Sequence, residues 1–319
     1  MNQNNYSPDR LTEKSVCDFL TTQKNRWLLY KTNMLTLGEA KQTSEKFLLD
    51  DSKWMINITL LNYRKKSATA DIDKALKGER PCFLCSENRP QLQSSIRWEH
   101  YDILANPYPI SDLHLTVADE AHRPQIIGDS IRDMARLTRI LPDNAIFYNG
   151  PLCGASAPDH FHFQAISKYE MHNFIFHSSY LQDEISIGKS VLKVAMRPIA
   201  PFPYLHIISS KDSELVPLYN RVIKALPAGD PEPMMNIFAW KEVKGGTSMV
   251  IVPRKAHRPQ CYGSEGGRVL VSPASLELSG LFALIRKEDA THLNETTIQR
   301  IYDDVCISNR EMEDILNRL

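Results

Sequence analysis

The run Asp159-His160-Phe161-His162-Phe163-Gln164 reads as an extended strand. Side chains along a strand alternate between its two faces. Phe161 and Phe163 therefore enter a core, while His160, His162 and Gln164 share the opposite face and look into a cleft. The loop ahead of the strand, Gly150 to Pro158, is small and polar, which suits close approach of a phosphate. The plain alternative is a pair of histidines hydrogen-bonded inside a sheet. An ordered imidazole, imidazole and amide trio favours a site.

Working outward from this strand, hydrophobic periodicity lays out the remaining elements. Residues 10 to 50 read as helical, with Leu11, Val16, Phe19 and Leu20 at helical spacing. Trp54 to Leu60 is a strand, followed by a basic turn, Arg64-Lys65-Lys66. Tyr101 to Asn106 and Leu113 to Val117 form a strand pair joined by Pro107-Tyr108-Pro109, and Ile126 to Leu141 is a helix stopped by Pro142. Ala145 to Tyr148 and Phe161 to Ile166 are strands. Later strands are Met235 to Trp240, Thr247 to Val252 and Leu281 to Ile285, with a helix from Thr296 to Cys306 and a short one up to Leu319.

Ala121-His122-Arg123-Pro124-Gln125 recurs unchanged as Ala256-His257-Arg258-Pro259-Gln260, each time after a strand. A match of this length is compatible with coincidence, but its place after a strand in both cases favours duplication. The expected fold is α+β, with two related halves, each an antiparallel sheet with helices on one face. The expected division is an N-terminal helical extension over 1–50, a first half over 51–190 and a second half over 191–319.

Composition narrows the function. The 319 residues are 42% hydrophobic and 24% charged, the balance of a globular chain with a sizeable core. Lys+Arg and Asp+Glu both number 38, so the net charge is zero, which argues against a nucleic-acid partner. The polar start, Met1 to Asn5, lacks a signal-peptide layout, and no apolar stretch reaches membrane-span length. Six cysteines in a chain of this size are too sparse for a disulfide scaffold, so a reducing, cytoplasmic setting is expected.

Cys82-Phe83-Leu84-Cys85 is the second chemical signal. A C-x-x-C pair chelates zinc when two more ligands join it, and it also occurs as a redox pair. The turn-like Ser86-Glu87-Asn88-Arg89-Pro90 that follows disfavours a redox helix start. With no second cysteine pair, His122 and His160 are the candidates to complete a closed, structural site. Weaker features read more plainly. His114 is either a satisfied histidine or a cleft residue, and His257 is a surface or interface histidine. Glu277 and Arg286-Lys287 read as solvated, Gly245-Gly246 as a hairpin turn, and Trp27 and Trp240 as core. Cys17, Cys153, Cys261 and Cys306 read as packed thiols.

Pro81-Cys82-Phe83-Leu84-Cys85, Asn106-Pro107-Tyr108-Pro109, Phe147-Tyr148-Asn149-Gly150 and His160-Phe161-His162-Phe163-Gln164 together resemble the galactose-1-phosphate uridylyltransferase branch of the histidine triad superfamily. That branch includes diadenosine polyphosphate phosphorylases and GDP-hexose phosphorylases; Ser272 to Gly280 is similar to the latter group. The resemblance implies two fused histidine-triad-like halves, the first catalytic and zinc-bearing. It also implies a nucleotidyltransferase or phosphorylase acting on a nucleotide sugar or dinucleoside polyphosphate. By this resemblance His162 attacks the α-phosphorus to form a nucleotidyl-histidine, and phosphate or a phosphosugar resolves it. Gln164 donates to a phosphoryl oxygen, Arg64 holds the leaving phosphate, and Asn106 and Tyr108 line the nucleoside site. Asn149 and Ser156 hold phosphate or neighbouring loop groups. Cys82, Cys85, His122 and His160 bind zinc.

The chemistry of the residues agrees with this, since neutral imidazole is a good nucleophile near pH 7 and a good leaving group afterwards. Two other classes stay open: a hydrolase of the same superfamily, and a catalytically silent, zinc-stabilised nucleotide-binding protein. A monomer or a homodimer is compatible with fused halves.

Overall fold

A computed structural model describes residues 11–319 apart from 50, 65–73, 76, 182 and 244. Met1 to Asn5 and the Lys65-Lys66 portion of the basic turn lie outside the described residues. The predicted N-terminal helix is two helices and a strand: α1 (Glu13–Arg26), α2 (Leu28–Gln42) and β1 (Glu45–Leu49). Thr12 starts α1 through a reciprocal cap, its hydroxyl accepting from the Ser15 N–H while the Ser15 hydroxyl accepts from the Thr12 N–H. Trp27 breaks the helices in extended backbone and is buried, as is Trp240.

β2 (Trp54–Leu60) pairs with β1 and, in parallel, with a late strand, Leu281–Leu284, to form a three-stranded sheet. Among the described residues the main sheet has ten strands. They are β3 (Ser95–Trp98), β4 (Tyr101–Ala105), β5 (His114–Asp119), β6 (Asn144–Asn149) and β7 (His162–Ser167), then β8 (Asp183–Ile187), β9 (Ser190–Ala195), β10 (Tyr204–Ser209), β11 (Met235–Lys241) and β12 (Thr247–Pro253). The late strand Leu281–Leu284 is β13.

Their spatial order is β3-β4-β5-β7-β6-β11-β12-β10-β9-β8, antiparallel throughout. From either edge inward, the order is the first, second, third, fifth and fourth strand of a set. Two halves of one topology thus meet at β6 and β11, where Phe147 lies opposite Phe238. The fold is α+β with paired halves, as expected. A helix connects the third and fourth strands of each set: α3 (Ile131–Ile140) in the first and, after α4 (His172–Ser178), α5 (Asp212–Ala225) in the second.

The repeated pentapeptide does not mark this duplication. Its first copy follows β5, the third strand of its set, and its second follows β12, the fifth. The topology repeats; the five-residue identity falls at non-equivalent places.

Alternation along the strands feeds two cores. Ile146, Tyr148, Phe161, Phe163, Leu205, Ile207 and Ile251 face α1, α3, α5 and a final helix, α9 (Asn309–Leu316), which follows three others: α6 (Ser275–Leu278), α7 (Lys287–Ala290) and α8 (Glu295–Val305). On the opposite face, Phe147, Ile166, Tyr204, Phe238 and Val250 pack with Trp54, Phe174 and Tyr302. Both faces are therefore covered, and the expected open face survives only as a cavity over the first half. Among the described residues no helix is long and apolar enough to cross a membrane.

His206 is fully buried on β10, its Nε2 3.0 Å from Ser248 Oγ and its Nδ1 without a protein partner. Burial holds its pKa down to about 3. An unfolded histidine titrates near ~6.5, so the unfolded chain binds the proton first. The contribution to stability is full above that pH and is lost as pH falls towards the folded value. The stability gap between the wild type and His206→Gln should accordingly shift against the wild type by about 1.4 kcal/mol per pH unit below ~6.5. Urea unfolding of both proteins at neutral and at mildly acidic pH checks this; a pH-independent gap contradicts it.

Candidate active site

A cavity of about 410 Å³ lies on the face where the histidine strand was expected to look out. Its walls include His162, Gln164, Asn149, Ser156, Asn106, Tyr108 and Arg64, which brings together all the residues predicted to meet substrate. An apolar flank comes from Trp27, Leu29, Phe83, Leu84, Leu104 and Pro107.

His162 opens β7 and is 3% exposed. Its Nδ1 lies 2.9 Å from the His160 carbonyl. A carbonyl only accepts, so Nδ1 carries the proton and Nε2 keeps a lone pair. Burial, the largest influence, holds the imidazolium down to about 4, so the ring is neutral at pH 7. The backbone around it is clamped by Gln125, a fully buried side chain. Gln125 Oε1 accepts from the His162 N–H at 2.8 Å, and Nε2 donates to the carbonyls of Asn149 and His162 at 3.0 Å each. One amide thus ties the end of β6 to the start of β7. In the sequence Gln125 stands only as part of a repeated pentapeptide; nothing local distinguishes it from its exposed counterpart Gln260. Gln125→Ala removes three buried hydrogen bonds and should cost about 3 kcal/mol of unfolding free energy. Denaturant titration measures it, and a loss below about 0.5 kcal/mol would contradict the clamp.

Gln164 is oriented through His114. The Ile110 N–H donates to His114 Nδ1 at 3.2 Å, so the ring proton sits on Nε2, which donates to Gln164 Oε1 at 2.8 Å. The Gln164 oxygen is thereby engaged, and its NH₂ is the group left for the cavity. His114 is 1% exposed, and burial depresses its pKa to about 3. Of its two sequence readings, the satisfied histidine holds.

Asn149 is set in the same way from the second half. Its Oδ1 accepts from the Ser275 N–H at 2.9 Å and from Asn236 Nδ2 at 2.8 Å, while Asn236 Oδ1 accepts from Arg254 Nη1 at 2.7 Å. Arg254 is 4% exposed and also donates to the carbonyls of Val305, Pro273, Ala256 and His257. Gly154 lets the 150–158 loop lie against this segment: its φ is +94°, and a Cβ there would sit 2.4 Å from Ala274 Cβ.

Arg64 donates to the Tyr108 carbonyl and stands near Glu277. Burial raises the Glu277 pKa, opposed by the N–H groups of Ala274 and of Glu277 itself and then by Arg64. Glu277 was expected on a solvated face and instead lines the cavity. His257 was expected at the surface or an interface and also lines the cavity, with Nε2 3.5 Å from Ser272 Oγ. Both placements depend on segments of the second half, a loop for His257 and α6 for Glu277, meeting the first, which no local pattern reveals. Arg286 pairs with Asp289 and caps nearby carbonyls, a structural role.

Cys82, Cys85, His122 and His160 offer ligand atoms that all lie within 4.8 Å of one another. His160 Nδ1 is 3.3 Å from Cys82 Sγ and 3.5 Å from Cys85 Sγ, and His122 Nδ1 is 3.2 Å from Cys85 Sγ. Tetrahedral zinc with ordinary Zn–S and Zn–N bonds separates such atoms by about 3.5 Å, so the donor set fits that ion. His160 Nε2 meets the Asp119 carbonyl at 2.8 Å, which places its proton there and frees Nδ1 for a metal. His160 precedes β7, so it turns to the cysteines while His162 faces the cavity. The cysteines sit in a loop before a short 3₁₀ turn, Ser86–Asn88, and both are free thiols. Arg89 braces that loop, donating to the Leu84 carbonyl and to Asp102 on β4.

Residues 19–167 match a family described as a domain of unknown function, DUF4922. No curated protein matches the chain. The structure is similar to that of yeast Ap4A phosphorylase Apa2, at 13% identity and a TM-score of 0.53 over 87% of this chain and 94% of that one. Apa2 in complex with AMP matches at 12% identity and 0.54, covering 88% and 97%. Its complex with Ap4A matches at 13% and 0.51, covering 87% and 97%. At these identities the likeness establishes the fold, including its paired halves.

Proposed function

We propose that this chain is a nucleotidyl-transferring phosphorylase acting on a dinucleoside polyphosphate or, less favoured by the neighbouring fold, a nucleotide sugar. The observation that carries the reading is the proton position on His162: Nδ1–H is spent on the His160 carbonyl, and Nε2 is held neutral in a cavity wall. Nε2 attacks the α-phosphorus, a P–N bond forms, and the bond to the departing phosphate oxygen breaks. Inorganic phosphate then attacks the same phosphorus and returns the electron pair to Nε2. The Gln164 NH₂ and the remaining amide nitrogen of Asn149 donate to non-bridging oxygens, stabilising charge as it develops. The fold shared with an Ap4A phosphorylase supports the substrate class, and the apolar flank of the cavity suits a base.

Zinc on Cys82, Cys85, His122 and His160 would be four-coordinate and closed, hence structural. Its service to the reaction would be indirect, by fixing His160 two residues ahead of His162. The reading is tested by incubating the protein with a panel of dinucleoside polyphosphates and nucleotide sugars, with and without phosphate, and weighing the products. Phosphate-dependent formation of a nucleoside diphosphate is expected. A nucleoside monophosphate formed regardless of phosphate would indicate a hydrolase, and binding without turnover would indicate a silent scaffold.

A further inference from the structure

The cavity carries a group of polar side chains that the histidine strand does not supply. Arg258, His257 and Ser272 come from the second half and line the same cavity as His162. Arg258 is fixed in place, its guanidinium stacked 4.1 Å from the Tyr262 ring centroid and its Nε 3.4 Å from Ser272 Oγ. Ser272 Oγ in turn meets His257 Nε2.

The charge balance of the walls singles out Arg258. Among the described residues, Arg64 is the other arginine of the lining; it is held by the Tyr108 carbonyl and faces Glu277, the one carboxylate there. Arg254, four residues before Arg258, is buried and bonded to the Asn236 amide and four carbonyls. Among the described residues no carboxylate pairs with Arg258. A positioned guanidinium with no counter-charge among the described residues, beside a histidine and a hydroxyl, is complementary to a phosphoryl group.

We infer that Arg258, with His257 and Ser272, binds the phosphate chain that leaves His162 and the phosphate that later attacks, which must occupy one place because the second step reverses the geometry of the first. This rests on the proposed phosphoryl chemistry, but anion binding can be tested without it. The probe is inorganic tripolyphosphate, titrated calorimetrically into the full-length protein and into its His162→Ala variant, neither of which needs to react. Arg258→Gln should weaken tripolyphosphate binding at least about tenfold, Arg258→Lys less, and Ser272→Ala less again. Arg97→Gln, at an exposed pair with Glu120, is the control and should leave it unchanged. Phosphorolysis by Arg258→Lys should show a raised KM for phosphate with a smaller change in kcat. Absence of tripolyphosphate binding by the wild type, or binding by Arg258→Gln within about twofold of the wild type, overturns the inference. If Arg258→Gln fails to fold, Arg258→Lys and Ser272→Ala carry the test, and wild-type affinity in both overturns it. Failure of the covalent reading would look different: tripolyphosphate binding intact, with no nucleotide on His162.

Discussion

His162→Ala will lose nucleotidyl transfer by at least about 10³-fold, a barrier increase of roughly 4 kcal/mol. The side chain is the only imidazole placed in the cavity wall by the histidine strand, with its Nδ1 proton already committed to the His160 carbonyl. Truncation removes the atom that would bond to phosphorus, and neither Gln164 nor Asn149 can replace it, because both are amides whose oxygens are engaged. Folding should be little affected, since the Gln125 clamp grips the backbone at His162 and not its ring. Steady-state assay of the variant on the substrate found in the product screen checks this. Activity within about tenfold of the wild type would remove His162 from the reaction.

Under the proposed zinc assignment, loss of the ion is expected to have the largest effect on stability. Cys82→Ser should abolish zinc content as measured by elemental analysis, and should lower unfolding free energy by about 3 kcal/mol or more. The reason is topological. Cys82 and Cys85 lie in a loop whose own apolar cluster is small, with Leu84, Leu104, Ala118 and Ala157. The two histidines reach that loop from after β5 and before β7, so an ion at these four groups would staple three separate segments. Chelation of the wild type should reproduce the effect. A wild-type protein purified without zinc, or one that unfolds identically after chelation, would contradict a structural site.

The legibility of this molecule follows where burial is one-sided. Phe161 and Phe163 against His162 and Gln164 gave a clear alternation, and the structure puts the pairs on opposite faces. The Cys82, Cys85, His122 and His160 cluster, proposed to hold zinc, was readable because a C-x-x-C pair demands partners and few histidines were placed to serve. Strands β8, β9 and β10 and helix α5 were not predicted. In β10 Leu205 and Ile207 face one core and Tyr204 the other, with His206 buried among them, so no polar alternation marks the strand. In α5 Pro217 interrupts a helical pattern that the tertiary fold restores. Gln125, Arg254, Glu277, His257 and Arg258 were hidden for a different reason. Each acts on segments distant in sequence, Gln125 within the first half and the others across the join between halves, and only the assembled fold brings those segments together.

The most direct test of the central claim is the intact mass of the wild-type protein, quenched in denaturant after exposure to substrate without phosphate, followed by peptide mapping. One added nucleoside monophosphate is expected on the peptide containing His162, removed when phosphate is supplied before the quench. An unmodified protein under conditions where product forms, or an adduct on another residue, would contradict it.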